Sequence, residues 1–202
     1  MVFSLSDSPD FVYNVVELWH HHLFNIIQRR QEMLVLGIDP GTIVAGYGLV
    51  DNTDGNLKMV AYGVIKSPQK LPVPERLSKL YYGLKEVVVK YHPDVVAVEQ
   101  PFVSNNVSTA FIIGRAQAVA ILVAANQDIP VFEYSPAKVK YAVSSYGASS
   151  KEQMQQMVRL QLNMTEIPEP ADAADALAVA LCHLSETHFS NLVAEKTKRS
   201  KK

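Results

Sequence analysis

The chain has 202 residues, 48% of them apolar, and a formal net charge of −1. That length suits one domain, or one domain with tails, and that composition is enough for a full core. The single cysteine, Cys182, excludes an internal disulfide and fits a reducing compartment, and the near-neutral charge argues against a broadly basic polyanion binder.

Residues 1–32 read as an N-terminal extension, possessing a net charge of −2. Phe11, Val12, Val15, Val16, Trp19, Leu23, Ile26 and Ile27 recur there at helical spacing. Met33 stands directly before the next apolar run and is a candidate natural start. His20, His21 and His22 are consecutive, so on a helix they point to different faces and read as a solvated stretch rather than a metal site. No basic, apolar and small-residue series marks a secretory leader, no apolar run reaches the length of a membrane span, and the expected location is cytoplasmic.

The domain is expected over 33–190. Strand one covers about 33–39 and strand two about 44–51, and the Asp54-Gly55 hairpin signal leads to strand three, which ends near Lys66. Pro72-Val73-Pro74-Glu75 opens a helix towards Tyr91. Strand four is Val95–Val98, ending at Glu99; a long helix spans about 106–126; strand five is Val131–Tyr134. Helices follow near 136–145, 151–163 and 171–186. Residues 191–202 carry Lys196, Lys198, Arg199, Lys201 and Lys202 and read as a disordered basic tail. Three strands in a meander, then strands alternating with helices, predict an α/β RNase H-like fold: a mixed five-stranded sheet with helices on both faces.

Leu34-Val35-Leu36-Gly37-Ile38-Asp39-Pro40-Gly41-Thr42 delivers one carboxylate at the end of an apolar strand. It reads either as an exposed turn or as a ligand whose charge a cation must neutralise. Glu99 ends a second apolar strand. If strands one and four are neighbours, the two acids meet at one sheet edge, where such sheets commonly bind ligands. Asp172 and Asp175 are three residues apart and share a helix face, with alanines around them that let the helix approach the sheet. Acids near a helix start need no function, but the close-packed surroundings of Asp175 fit that reading less well. Four carboxylates without His or Cys imply Mg²⁺, with Mn²⁺ able to substitute. Two such ions would clamp a phosphodiester for in-line hydrolysis. Outside these four acids the chain after residue 32 sums to +5, a modest cationic surface around an acidic pit.

Gly37-Ile38-Asp39-Pro40-Gly41-Thr42 with Gly46-Tyr47-Gly48 resembles the opening of the RuvC family of Holliday junction resolvases. Val98-Glu99-Gln100 followed by Phe102, Pro130–Tyr134 and Asp172–Ala178 extend the resemblance over about 34–185. The resemblance implies a homodimeric, Mg²⁺-dependent endodeoxyribonuclease that cuts four-way DNA junctions by paired symmetric nicks, in recombination and repair. It places Asp39, Glu99, Asp172 and Asp175 on the catalytic, metal-binding acids, and Phe102, Lys140 and Lys151 on DNA-binding positions. It also implies a partner, the RuvA and RuvB branch-migration complex, and no membrane. Phe102 has a second reading, a loop anchor packed on the core. Lys138 reads equally as a surface lysine. The helix over 110–125 is apolar on more than one face, which fits either a subunit interface or a buried helix. Family members often read Gly-Gln-Ala-Arg-Gly where this chain has Gly114-Arg115-Ala116-Gln117-Ala118, so the basic residue has moved to another helix face and no DNA contact is assigned to Arg115. The competing functions are another RNase H-like nuclease acting on RNA, which the Glu99-Gln100-Pro101-Phe102 loop argues against, and a non-catalytic junction-binding module, which would not need all four acids. A sugar-kinase-like phosphate loop fails for want of a second glycine-rich motif.

Overall fold

The computed structural model describes the backbone of residues 32–101, 107–144 and 149–199, and their side chains up to His188 apart from Val107. Residues 1–31, Phe102 and the last three residues lie outside the described residues. The strands are β1 (Met33–Asp39), β2 (Val44–Thr53), β3 (Asn56–Lys66), β4 (Val95–Glu99) and β5 (Val131–Tyr134). The helices are α1 (Val73–Tyr91), α2 (Val107–Ala125), α3 (Pro136–Ser144), α4 (Lys151–Gln161) and α5 (Ala171–Arg199).

The five strands form one sheet in the order β3-β2-β1-β4-β5. β2 runs antiparallel to β1 and β3, whereas β4 runs parallel to β1 and β5 parallel to β4. The β2–β3 hairpin turns at Asp54 and Gly55, both with positive φ (54° and 86°), the conformation a tight hairpin turn needs and glycine tolerates. β1 and β4 are central and covered on both faces, which is why they read as continuous apolar runs.

Alternation along the strands divides the core in two. Val35, Val50, Ala97 and Tyr134 face α3, α4 and α5, where they meet Val139, Met154, Val158 and Leu177. Leu36, Ile38, Leu49, Val96 and Val98 face α1 and α2, where they meet Leu80, Leu84, Ala116, Ala120 and Val123. β1, β4 and β5 all deliver their carboxyl ends to the same edge of the sheet.

α5 sits unusually close to that sheet. A Cβ on Gly46 would stand 1.9 Å from the Asp172 carbonyl oxygen, and one on Gly37 would stand 2.0 Å from that of Ala176. The glycines of β1 and β2 and the alanines of α5 are therefore two halves of one contact, and it fixes the turn that carries Asp172 and Asp175. Gly46→Ala is expected to push this turn off the sheet, costing about 1–3 kcal/mol of stability or more and most of the activity. Calorimetric unfolding together with a junction-cutting assay checks both.

Two expectations change. The last helix runs to Arg199, not to about 186, so the backbone of the basic tail is helical that far. Ala194, Glu195, Lys196, Lys198 and Arg199 are mostly good helix formers, which favours continuation of the helix through the basic run. Second, Ser108–Ala125 of α2 is long and apolar enough to cross a membrane by length and composition, with mean hydropathy 1.6. It carries Arg115, and Ala116, Ala120, Val123 and Ala124 are buried in the α1–α2 side of the core. Its apolarity is that of a core helix with an additional uncovered face.

Candidate active site

Asp39 and Glu99 stand at the carboxyl ends of β1 and β4, which are parallel neighbours as the strand-end argument requires. Their carboxyl groups hydrogen-bond to each other. Burial, then the nearby Asp175 and Asp172, push Asp39 up to about 7, against which Lys151 pulls down. Burial, then Asp39 and Asp175, push Glu99 up to about 8, against which Lys140 pulls down. Two carboxylates this close and this poorly hydrated retain a proton between them near neutral pH.

Asp175 and Asp172 come from the first turns of α5, both half-buried, and the Gly46 and Gly37 contacts set their height over the sheet. Asp175 Oδ2 accepts a hydrogen bond from Lys151 Nζ at 2.8 Å. That bond holds the Lys151 ammonium above its usual range. A hollow of about 200 Å³ opens beside the acids, lined by Glu99, Lys140, Lys151, Asp175 and the apolar Pro136, Val139, Met154 and Ala178.

All four acids, Lys140 and Lys151 thus fall within one electrostatic neighbourhood. Asp39 pairs with Glu99, and Asp175 pairs with the Lys151 ammonium. Among the described residues no three carboxylate, histidine or cysteine side chains converge as the ligands of one ion. The donor set nevertheless fits hard divalent cations, since it is all oxygen and its charge is costly enough to hold protons. Phe102 lies outside the described residues.

Three features escaped the sequence reading. Arg76 Nη1 donates to Thr42 Oγ1 at 3.1 Å and so holds the Pro40-Gly41-Thr42 exit from β1. The signal was an arginine on the inward α1 stripe that continues with Leu80 and Leu84. Tyr134, the register partner of Glu99, places its hydroxyl 2.8 Å from Nδ1 of buried His183. Burial lowers the basicity of that imidazole, and the pair pins β5 to α5 just behind Glu99. Lys138 pairs with Glu186 at 2.7 Å and sits over the Tyr134 ring, so it ties α3 to α5.

The swapped pair on α2 also separates as the helical wheel requires. Gln117 is buried and donates to Glu133 Oε2 at 2.5 Å, while Arg115 is exposed on the opposite side.

The family model for the crossover junction endodeoxyribonuclease RuvC matches residues 35–183. The chain belongs to the RuvC family. The RuvC of Dehalococcoides mccartyi is 52% identical over 163 residues, covering 81% of this chain and 98% of that protein. The RuvC of Alkaliphilus oremlandii is 44% identical over 160 residues, covering 79% and 98%. Among solved structures, Thermus thermophilus RuvC in complex with Holliday junction substrate superposes with a TM-score of 0.73 at 33% identity, covering 78% of this chain and 96% of that one. The yeast mitochondrial Holliday junction resolvase Ydc2, 16% identical with a TM-score of 0.55, shares the fold. The RuvC match takes in β1 through most of the packed part of α5, so every element that delivers an acid lies within it.

Proposed function

We infer that this chain is a crossover junction endodeoxyribonuclease, resolving four-way DNA junctions in recombination and repair. One observation carries the reading: Asp39, Glu99, Asp172 and Asp175 are gathered at one sheet edge, within the residues 35–183 that match the RuvC family. We propose these four as the catalytic acids and as the holders of two divalent ions, Mg²⁺ or Mn²⁺. Such ions, when bound, supply an activated water and neutralise charge at the scissile phosphate.

The chain's own residues do the rest. Asp39 and Glu99 would release their shared proton to solvent when a divalent ion binds, and present oxygens to it at the sheet edge. Asp172 and Asp175 close the pit from α5. Lys140 and Lys151 line the hollow beside it, where their ammonium groups can meet backbone phosphates without reading sequence. Phe102, three residues beyond Glu99, is proposed to stack on an unpaired base, an interaction worth roughly 1–3 kcal/mol.

A junction has pseudo-two-fold symmetry, and paired nicks need two sites, so we propose a homodimer. Family membership supports the RuvA and RuvB branch-migration complex as its partner and the cytoplasm as its place of work.

Incubation of the full chain with a synthetic four-way junction and Mg²⁺ tests the reading. Paired, symmetric nicks are expected, together with little cutting of linear duplex or RNA. Absence of paired nicks across junctions of varied sequence overturns it.

A further inference from the structure

Lys151 occupies a position that disfavours a lysine. It is the first residue of α4, directly after the N-cap Ser150. The unpaired amides at a helix start make that end partly positive, which favours acids and disfavours cations. The helix start is otherwise complete. Ser150 Oγ accepts from the Gln153 amide, the Gln153 side chain accepts from the Ser150 amide at 2.8 Å, and Glu152 supplies an acid in the first turn. Nothing in the building of α4 requires a lysine there.

What holds it is across the cleft. Lys151 Nζ lies 2.8 Å from Asp175 Oδ2, although the lysine side chain is 53% exposed and could reach into solvent. Asp175 is one of the acids proposed above to hold a divalent ion, and this inference rests on that reading. Such an ion takes carboxylate oxygens at about 2.1 Å. An ammonium on the same carboxylate would then stand within a few ångströms of the ion, where like charges repel strongly. The two cations compete for Asp175.

We propose that Lys151 is the resident counter-cation of Asp175, displaced when a divalent ion binds, and that the released ammonium is the one that meets the DNA phosphate. The arrangement couples the two ligands. An ion that takes Asp175 frees the lysine for phosphate, and a phosphate that draws the lysine away frees Asp175 for the ion. By thermodynamic linkage each ligand tightens the other by the same factor.

Calorimetric titration of the full chain with Mn²⁺ alone, without DNA, tests this. Lys151→Met removes the competitor and is expected to tighten Mn²⁺ binding about tenfold or more. Lys151→Arg keeps a cation and is expected to stay near the parent. Asp175→Asn is expected to weaken binding strongly. A thermal melt of each variant confirms folding, which exposed Lys151 tolerates. If Lys151→Met binds Mn²⁺ no more tightly while Asp175→Asn loses it, the lysine is not a competitor and the proposal falls alone. If Asp175→Asn binds as the parent does, the metal-ligand reading of Asp175 falls, and the proposal with it.

Discussion

Asp39→Asn is expected to yield a protein that melts at a higher temperature and does not cut junctions. Asparagine retains the shape of the side chain and removes a charge that is poorly hydrated and faces Glu99, Asp172 and Asp175. Loss of that charge relieves repulsion on Glu99, which Asp39 itself helps to push up to about 8. The gain should be on the order of 1–3 kcal/mol, a few degrees in melting temperature for a domain of this size. Cutting should fall by about a thousandfold or more, the effect of losing roughly 4 kcal/mol of charge stabilisation in the transition state. Junction binding should survive, because phosphate contacts rather than the acids supply it. A variant that melts lower than the parent, or that cuts at a tenth of its rate, contradicts the account of the pit.

The same acids give stability a pH dependence of unusual sign. Asp39 and Glu99 are raised from ordinary values near 4 to about 7 and about 8, so the folded state is the stronger proton binder between those limits. Stability is therefore greatest below about pH 4 as far as this pair is concerned, falls as pH rises through 7 to 8, and is then constant. In EDTA the melting temperature should decline from pH 5.5 to 8.5, at least in the part due to this pair. Asp39→Asn should flatten the decline, and Mg²⁺ should reverse it most at the alkaline end, where the proton no longer competes. The difference between melts with and without Mg²⁺ isolates the effect from other titrating groups.

Strand ends were legible because chemistry and periodicity coincide there. The short apolar run Val95–Val98 fits a strand covered on both faces with Glu99 at its end, and the parallel β1–β4 pairing puts Asp39 beside it. The alanines around Asp175 announced a helix that packs closely, though not that Gly46 and Gly37 were the surfaces it needed. Contacts between distant segments left weaker traces. Arg76 and Thr42 are 34 residues apart, and only a lone charge on an apolar stripe hinted at the bond. Lys151 was legible as a basic residue near the site. That it rests on Asp175 depends on where α4 docks, which no local pattern encodes. The run from Glu195 to Arg199 is highly charged and carries no apolar periodicity, so it reads as a tail although its backbone is helical to Arg199.

Leu122→Glu combined with Phe111→Glu is expected to convert the chain to a monomer and to abolish paired nicking. α2 buries one face in the core, yet Phe111 is 69% and Leu122 is 52% exposed, with exposed Arg115 and Ala118 between them. Residues 111, 115, 118 and 122 are spaced by four, three and four, the interval of a seam between two packed helices. The spacing is also palindromic. An antiparallel two-fold pairing sets Phe111 against Leu122 of the partner subunit and Arg115 against Ala118 of the partner subunit. A parallel pairing would set arginine on arginine, and α2 has no acid to separate them. The stripe therefore suits one symmetric arrangement, in which the large apolar residues meet and the guanidinium escapes over a small side chain. Sedimentation should show a dimer for the parent and a monomer for the double variant. Because both positions are solvent-exposed in the single chain, the monomer should still fold and bind Mn²⁺ as well, melting below the parent only by the stability that dimerisation adds. It should leave junctions nicked on one strand only. A double variant that remains dimeric places the subunit contact elsewhere on the surface.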